Sequence, residues 1–493
     1  MGETSTWWVT LALAVDIAFR VIALVIVPRN RRPQTAMAWL LAIFFIPYFG
    51  FLAFVAFGSR RLPKKRRENQ RAINAHLRAR STMLARGIIV TESDINESPE
   101  FPRWLAQTVR MNERLGAMPM VAGNTVDFLP DYHQSLAAMA KAIDSARDTV
   151  HVEFYIMSVD EATKGFFDAL ERAVARGVTV RVLYDQLASA RISGYRNLLA
   201  TLDRIGAQHR AMLPLQPWRG IYQRPDLRNH RKLLIVDSLI AYTGSQNIIE
   251  PGYRNPRHHR RGLHWLDVMM RAEGPLADGL EALFVSDWYQ ETGELLNTPS
   301  PDKVTRVGPD KTWAQVVPSG PAFEGENNLR LFNSLVYGAR SRLILSSPYF
   351  VPDESMRYAI TTAAERGVEV HLMVSEIADQ HLVFYAQRSY YDELLQSGVK
   401  IWLYQAPTIL HSKFIIVDDA ISVLGSSNID MRSFSLNLEV SVLLASPPVV
   451  KELEDLSSTY MAQSIELSLD AWRARPWYSR FVEGLARLTA TVQ

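Results

Sequence analysis

The stretch Leu410–Glu439 reads LHSKFIIVDDAISVLGSSNIDMRSFSLNLE, and it decides the architecture because the chain contains its pattern twice. Within it stand His411, Lys413, Asp418, Gly425, Ser426 and Asn428. An earlier stretch, NHRKLLIVDSLIAYTGSQN, carries His230, Lys232, Asp237, Gly244, Ser245 and Asn247. Both copies have the pattern His-x-Lys, four residues, Asp, six residues, Gly-Ser-x-Asn, and they lie 181 positions apart (411 minus 230). Repetition in register marks an internal duplication. It preserves polar residues, whereas a purely structural repeat would preserve mainly apolar ones.

Local structure follows from the residues around the pattern. Leu233 to Val236 and Phe414 to Val417 are apolar and rich in β-branching, which predicts a buried strand over 230–237 and over its counterpart. On a strand, residues i and i+2 share a face. His230 therefore projects with Lys232, and His411 with Lys413. Asp237 and Asp418 fall at strand ends beside a turn. Gly-Ser-x-Asn is small and amide-bearing, which suits a tight loop that approaches a ligand closely.

If the two copies face each other, one pocket holds two imidazoles, two ammoniums and two amides. Those groups match the needs of a phosphodiester. One histidine can attack phosphorus and form a covalent phosphohistidine. The other can protonate the leaving alcohol, an effect worth roughly 10²–10⁴ in rate. Lysine and asparagine donors can stabilise charge on the non-bridging oxygens. The mechanism so read requires no metal and no cofactor. A single His-x-Lys would be read as a strand histidine beside a surface lysine; the doubled, evenly spaced pattern is not.

These residues carry a resemblance to the phospholipase D superfamily, and neighbouring words narrow it to the bacterial cardiolipin synthase branch. The words are Ser347 to Glu354 (SPYFVPDE), Arg388 to Tyr391 (RSYY) followed by Leu394 and Leu395, and Asn428 to Ser433 with Leu436 to Glu439. The resemblance implies an α/β fold: two fused phospholipase D-like halves forming a pseudo-dimer, preceded by an N-terminal transmembrane helical hairpin. It implies that His230, Lys232, Asp237, His411, Lys413 and Asp418 form the catalytic motifs, with the two aspartates the more structural members. It makes His230 the nucleophile and His411 the general acid. It places Asp267 and Glu439, downstream of the Gly-Ser loops, as groups that orient the histidines. Ser245, Asn247, Ser426 and Asn428 complete the set, as phosphate-binding or histidine-orienting residues.

The halves can be traced outward from the motifs. In the first, residues 150–156 read as a strand, 161–176 as a helix and 178–184 as a strand, a βαβ unit. In the second, strands at 342–347, 368–374 and 399–404 alternate with helices at 353–366 and 382–396. Arg366-Gly367-Val368 repeats Arg176-Gly177-Val178 at the same helix-to-strand turn. The expected domains are 1–58, 59–117 as a basic segment and linker, 118–298, and 313–493. The proline-bearing stretch 294–312 links the halves. Residues 448–493 read as two amphipathic helices whose apolar side is Trp472, Trp477, Tyr478, Phe481 and Leu485; they cover the core, the default role, or rest on the bilayer interface. A basic insert, Arg254, Arg257, His258, His259, Arg260, Arg261 and His264, reads either as a headgroup or membrane contact or as a solvated loop.

The N-terminus is the apolar part of the chain. Residues 7–27 hold 21 mostly apolar positions, and residues 36–58 contain no charge; about 20 such residues span a bilayer. Asp16 and Arg20, four apart, can pair on one helical face. Three arginines (29, 31, 32) lie between the stretches, and seven basic residues from Arg60 to Arg71 follow the second. That balance favours a cytoplasmic catalytic region on the inner membrane. A shallow hairpin that never crosses fully is the alternative. The chain has no cysteine and a formal charge of only +3, so neither disulfides nor thiolate chemistry is available.

Together these readings predict phosphatidyl transfer between two phosphatidylglycerol molecules, giving cardiolipin and glycerol. The expected partners are phosphatidylglycerol, other anionic phospholipids and the membrane, with no nucleic acid. A membrane-bound hydrolase releasing phosphatidic acid shares the first half-reaction. A non-catalytic scaffold predicts erosion of at least one motif, and both motifs are intact.

Overall fold

In the computed structural model the described residues are 2–29, 31, 33–58, 62, 64–81, 88–215, 224–297, 312–323 and 325–489. The chain divides into two units, Met1–Leu62 and Pro63–Gln493. Most of the expected inter-half linker, residues 298–311, lies outside the described residues.

The larger unit is built on one 15-stranded sheet. From one edge its strands are Ser464–Leu467, Lys400–Tyr404, Glu369–Ser375, Arg342–Ser346, Phe414–Val417, Ile421–Gly425, Glu439–Ala445 and Thr312–Ser319. It continues through Met120–Leu129, Met269–Glu273, Ile240–Gly244, Lys232–Val236, Thr149–Phe154, Thr179–Asp185 and Gln208–Met212. The duplication seen in sequence is thus a duplication in space. Six strands on one side of the Met120–Leu129/Thr312–Ser319 pair answer six on the other, in mirrored order. That central pair is antiparallel, as a two-fold relation between the halves requires. Ser464–Leu467 is an extra edge strand, antiparallel to Lys400–Tyr404.

In each half three strands run parallel through helical crossovers, and the motif hairpin joins them antiparallel. Lys232–Val236 is buried at every position, as is Phe414–Val417. These strands lie deep in the sheet with both faces covered, so, Lys232 apart, their side chains are apolar in a continuous run. The helix Pro275–Thr292 buries nearly its whole length, Leu276, Leu280, Leu283, Phe284 and Trp288 included, over one face of the sheet. Each half has its own core, one around Phe154, Phe166 and Leu170, the other around Phe332, Phe350 and Ile360.

Several boundaries differ from the sequence reading. Trp104–Gly116, expected within a linker, is a helix whose Leu105, Ala106 and Val109 enter the core of the second half beside Val317 and Phe332. Its apolar positions recur at helical spacing, and the second-half strand and helices supply the surface that buries them. The basic stretch 59–87, read from sequence as helical, does hold the helix Lys64–Ser81, in which Arg66 is paired with Glu291 at 2.7 Å. The expected helix at 382–396 is two, His381–Arg388 and Tyr391–Gln396. The C-terminal region holds an edge strand and three helices, Pro447–Ala462, Leu469–Arg473 and Trp477–Arg487, rather than two helices.

The smaller unit also departs from expectation. Among the described residues no helix is long and apolar enough to cross a membrane. The first helix, Gly2–Ile26, is 25 residues long but carries Asp16 and Arg20, paired at 2.8 Å. The uncharged stretch, expected as one span kinked at Pro47 and Gly50, is broken into Pro33–Phe45 and Pro47–Phe57. Proline disfavours helical geometry in the residue before it, and Ile46 sits at φ −135° and ψ 72°. At about 1.5 Å per residue neither piece reaches the ~30 Å of a hydrocarbon core. The bend is sharp: a Cβ on Gly50 would lie 2.4 Å from the carbonyl oxygen of Ala42. Phe51 packs edge-on against Phe19 at 4.3 Å, and Phe54 against Trp39 at 5.6 Å.

Candidate active site

The two motif strands do not themselves contain the histidines. His230 and His411 stand just before them, where short parallel ladders stitch the halves together. Thr408–Leu410 pairs with His264–Leu266, and Asn229 bridges to Leu438. The His411 N–H donates to the Leu266 carbonyl at 2.8 Å, and the His230 N–H donates to the Leu438 carbonyl at 2.8 Å. Each histidine backbone is thereby docked on the opposite half.

The side chains follow. His230 Nδ1 lies 3.0 Å from Glu439 Oε2, and His411 Nδ1 lies 2.6 Å from Asp267 Oδ1. Each imidazole is paired with a carboxylate of the other half. The carboxylates are fixed in turn. Ser426 Oγ donates to Glu439 Oε2 at 2.5 Å, and Asn437 Nδ2 donates to Oε1 at 3.3 Å. Ser245 hydrogen-bonds Asp267 and accepts from the Val268 N–H at 3.0 Å. The two motif serines thus act on the acids. Lys232 and Lys413 are buried, and each ammonium donates to the carbonyl of its own histidine at 2.6 Å. An ammonium has three protons, so two remain for a bound anion.

Charge in this site is set by burial. Burial lowers the His230 pKa to about 4, against the opposing pull of Glu439 and with the help of Lys232 and Lys413. Burial and then Lys413 lower His411 to about 4, Asp267 pulling the other way. Burial also lowers Lys232 to about 7 and Lys413 to about 8. For Asp267 and Glu439 burial acts upward, but the facing histidine and lysine overcome it and hold both carboxyls below their usual range. At neutral pH both imidazoles are neutral and both acids ionised. A neutral ring that donates Nδ1–H to a carboxylate leaves its Nε2 lone pair available.

The two amides sit beside this centre. Asn247 Oδ1 accepts from the Ile156 N–H at 3.2 Å, and its Nδ2 donates to the Tyr253 hydroxyl at 2.8 Å. Asn428 hydrogen-bonds Asp430. Asp237 and Asp418 are elsewhere, at the far ends of the motif strands. Asp237 accepts from the N–H groups of Arg147, Asp148 and Thr149 at 2.8 Å each. Asp418 accepts from those of Arg340, Ser341 and Arg342 at 2.8–3.1 Å. Both aspartates thus stand apart from the paired imidazoles and tie the motif turn to the start of the neighbouring strand.

Sequence reading missed other groups. Tyr155 stands edge-on to His230 with ring centroids 4.9 Å apart, and the Lys232 ammonium lies over its ring at 5.4 Å. Burial raises its pKa to about 12, so the phenol is neutral. Nothing in an apolar strand run distinguishes this tyrosine. On the back of the motif strand, Arg231 is fully buried between Asp287 and the Glu439 carbonyl, to which its Nε donates at 3.1 Å. Tyr349, inside a quoted family word, donates to Asp379 at 2.9 Å, and that carboxylate acts on Lys413. Among the described residues no group of three His, Cys, Asp or Glu side chains could hold a metal ion. In the basic insert, His259 is paired with Glu250 at 2.8 Å.

A family profile described as cardiolipin synthase, PLD-like domain matches residues 139–260 and again 334–459. The cardiolipin synthase A of Proteus mirabilis (strain HI4320) is 33% identical over 97% of this chain and 95% of its own length. The chain belongs to the cardiolipin synthase family. The cardiolipin synthase A of Pectobacterium atrosepticum is also 33% identical, over 94% of each chain. Residues 10–59 match a second profile, phospholipase D-nuclease N-terminal. Among solved structures, the phosphatidylserine synthase of Haemophilus influenzae Rd KW20 superposes with TM-score 0.61, covering 78% of this chain and all of that one, at 16% identity. That likeness concerns the fold. Membership of the cardiolipin synthase family, with both motifs present, makes the chain an enzyme of the phosphatidyltransferase class.

Proposed function

We propose that the chain transfers a phosphatidyl group between two phosphatidylglycerol molecules, through a phosphatidyl-histidine, to give cardiolipin and glycerol. The observation that carries this reading is the reciprocal pairing: two neutral imidazoles, each held by a carboxylate of the opposite half and flanked by a buried ammonium.

His230 Nε2 attacks the phosphorus of the first phosphatidylglycerol. The P–O bond to the head-group glycerol breaks, and His411 supplies the proton that makes it free glycerol. The resting His411 is neutral, so this proton must arrive with substrate. A phosphodiester anion set between the lysines favours the imidazolium form, and Asp267 stabilises it. In the second half-reaction a head-group hydroxyl of another phosphatidylglycerol gives its proton to His411 and attacks phosphorus. The P–N bond breaks, His230 is regenerated and cardiolipin leaves. Lys232 and Lys413 offset charge on the non-bridging oxygens throughout.

The smaller unit supports a membrane setting. Trp7, Trp8, Leu11, Leu13, Phe45, Ile46, Tyr48, Phe49 and Leu52 are all exposed, a surface suited to lipid. The broken second stretch favours a hairpin seated in the bilayer, with the catalytic unit on the cytoplasmic side where basic flanks are retained. Holding enzyme and both lipid substrates in one surface raises their effective concentration.

The test is product analysis in phosphatidylglycerol vesicles with a chelator present. The expected products are cardiolipin and glycerol, with His230→Ala and His411→Ala each reducing turnover at least ~10²-fold. Phosphatidic acid as the sole product would replace the transferase by a hydrolase. No phospholipid turnover by the intact chain would overturn the reading.

A further inference from the structure

The terminal helix Trp477–Arg487 is turned the wrong way for a helix that covers a core. Its buried side chains are Glu483 and Ala486. Trp477 is 76% exposed, Tyr478 59%, Phe481 60% and Leu485 51%; Val482 and Leu488 are exposed as well. At about 100° per residue these six positions fall within one arc of about 140°. Of the two roles expected from sequence, core cover does not fit this helix, while Trp472 before it is buried.

Polar contacts hold the helix in that orientation. Glu483 accepts from Arg388 Nε at 3.1 Å and from Arg475 Nη1 at 2.5 Å. The guanidiniums of Arg475 and Arg388 lie over the Trp472 ring at 3.1 and 4.8 Å, and that of Arg487 lies over Tyr390 at 4.5 Å. The outward apolar stripe is thus fixed by a buried carboxylate with two cations. The neighbouring helix His381–Arg388 extends the apolar face with Leu382, 51% exposed, and Tyr385, 38% exposed. That helix is also tied to the active site. Gln387 Oε1 accepts from the Phe350 N–H at 2.9 Å, and Tyr349 donates to Asp379 two residues before the helix begins.

Charge decides what covers this face. Between Leu469 and Leu488 there are four arginines (473, 475, 480, 487) against Asp470 and Glu483, an excess of two positive charges. Arg480 and Arg487 are exposed and fall on the helical wheel beside the apolar arc. Tryptophan and tyrosine among aliphatic residues, flanked by arginines, match the interfacial plane of an anionic bilayer.

We propose that the face formed by Trp477–Arg487 and His381–Arg388 seats in the headgroup boundary of an anionic membrane, bringing the Tyr349–Asp379 side of the active site to the lipid surface. The proposal rests on the phosphatidyl-transfer reading for its purpose, but the contact itself needs no turnover.

The chain has no native cysteine, so Phe481→Cys can carry one environment-sensitive fluorophore in the full-length protein. In vesicles of phosphatidylglycerol and phosphatidylcholine its emission is expected to shift to the blue. Quenching by lipids spin-labelled near the headgroups is also expected. A label at Lys141→Cys, exposed on the first half, is expected to stay open to aqueous iodide. A Phe481 label as open to iodide as the Lys141 label overturns the proposal. So does a label shielded from iodide yet untouched by the lipid probes, because a protein then covers the face. A second arm uses Trp477→Ser with Phe481→Ser. Turnover of vesicle phosphatidylglycerol is expected to fall about tenfold, while a short-chain, monomeric phosphatidylglycerol is turned over as before. Equal turnover of both substrates relative to the parent chain counts against the proposal. Failure of the parent chain on the short-chain substrate counts against phosphatidyl transfer instead, and the fluorescence result stands independently.

Discussion

At the scale of single residues, the two histidines are chemically alike and are distinguished by the bond each serves. If His411 protonates the leaving group, an activated phosphatidyl ester with a nitrophenol leaving group makes that proton unnecessary. His411→Ala should then release a burst of nitrophenol and accumulate a phosphatidyl-enzyme, whereas His230→Ala should release none. The reverse pattern would exchange the roles. The pH profile of kcat/KM reports the free enzyme. His230 must be neutral, so the rate is expected to fall as pH drops through about 4. The lysines must be charged, and burial brings Lys232 to about 7 and Lys413 to about 8. His411, neutral in the free enzyme with a pKa of about 4, must also gain a proton, so the rate already declines above that pH, and loss of lysine charge should steepen the fall through about 7 to 8. Lys413→Arg, which stays charged, should move the alkaline limb upward if the enzyme tolerates the larger group. The spacing of His, Lys and Asn was legible in the sequence because each copy specifies it locally. Tyr155 was not, because a tyrosine in an apolar strand run looks the same whether it packs in a core or against a catalytic ring.

At the scale of elements, the motif aspartates illustrate how a repeated residue can be structural. Asp237 and Asp418 adopt φ of 52° and 51°, the left-handed region, which Asp and Asn visit more easily than other non-glycine residues. Each gathers backbone N–H groups from the turn that starts the adjacent strand. Asp418→Ala is expected to cost about 2–3 kcal/mol of stability, from lost charge-assisted hydrogen bonds, seen as a lower Tm. Turnover per folded molecule should be little changed; a loss matching that of His411→Ala would return Asp418 to the chemistry. The folded Asp418 carboxyl is held below its usual range by those backbone and Ser341 donors, burial opposing them. Its stabilisation is therefore fully present above about pH 4 and is lost as pH falls further. The sequence located most strands because β-branched runs between turn residues are a local signal. Pro47 and Gly50 signalled a kink in the second apolar stretch, but nothing local signalled the edge strand Ser464–Leu467, whose SIEL stretch takes its partner from the distant Lys400–Tyr404.

At the scale of the whole molecule, the active site belongs to neither half. Each imidazole takes its carboxylate from the other half, so damage should couple across them. In a double-mutant cycle, His230→Ala and Glu439→Gln are expected to be strongly non-additive in log kcat, and so are His411→Ala and Asp267→Asn. Additive losses within both cross-half pairs would mean that the carboxylates act independently of the rings. The continuous sheet explains why the coupling is rigid. The Met120–Leu129/Thr312–Ser319 pair closes the halves along a backbone ladder, and the ladders at 264–266 and 408–410 lock the histidine loops.

The sequence by itself determined the duplication, the spacing of the candidate side chains, the α/β class of each half and the family resemblance. All of these reside in local spacing and in residue type. Tertiary structure alone decided which acid faces which histidine, because residues 209 apart (439 minus 230) and 144 apart (411 minus 267) meet only when two halves pair. It also set the proton affinities, since a buried lysine and an exposed one have the same letter. And it decided that the terminal helix points its tryptophan and phenylalanine outward. Periodicity marks an apolar stripe, but what that stripe packs against is a property of the assembled molecule.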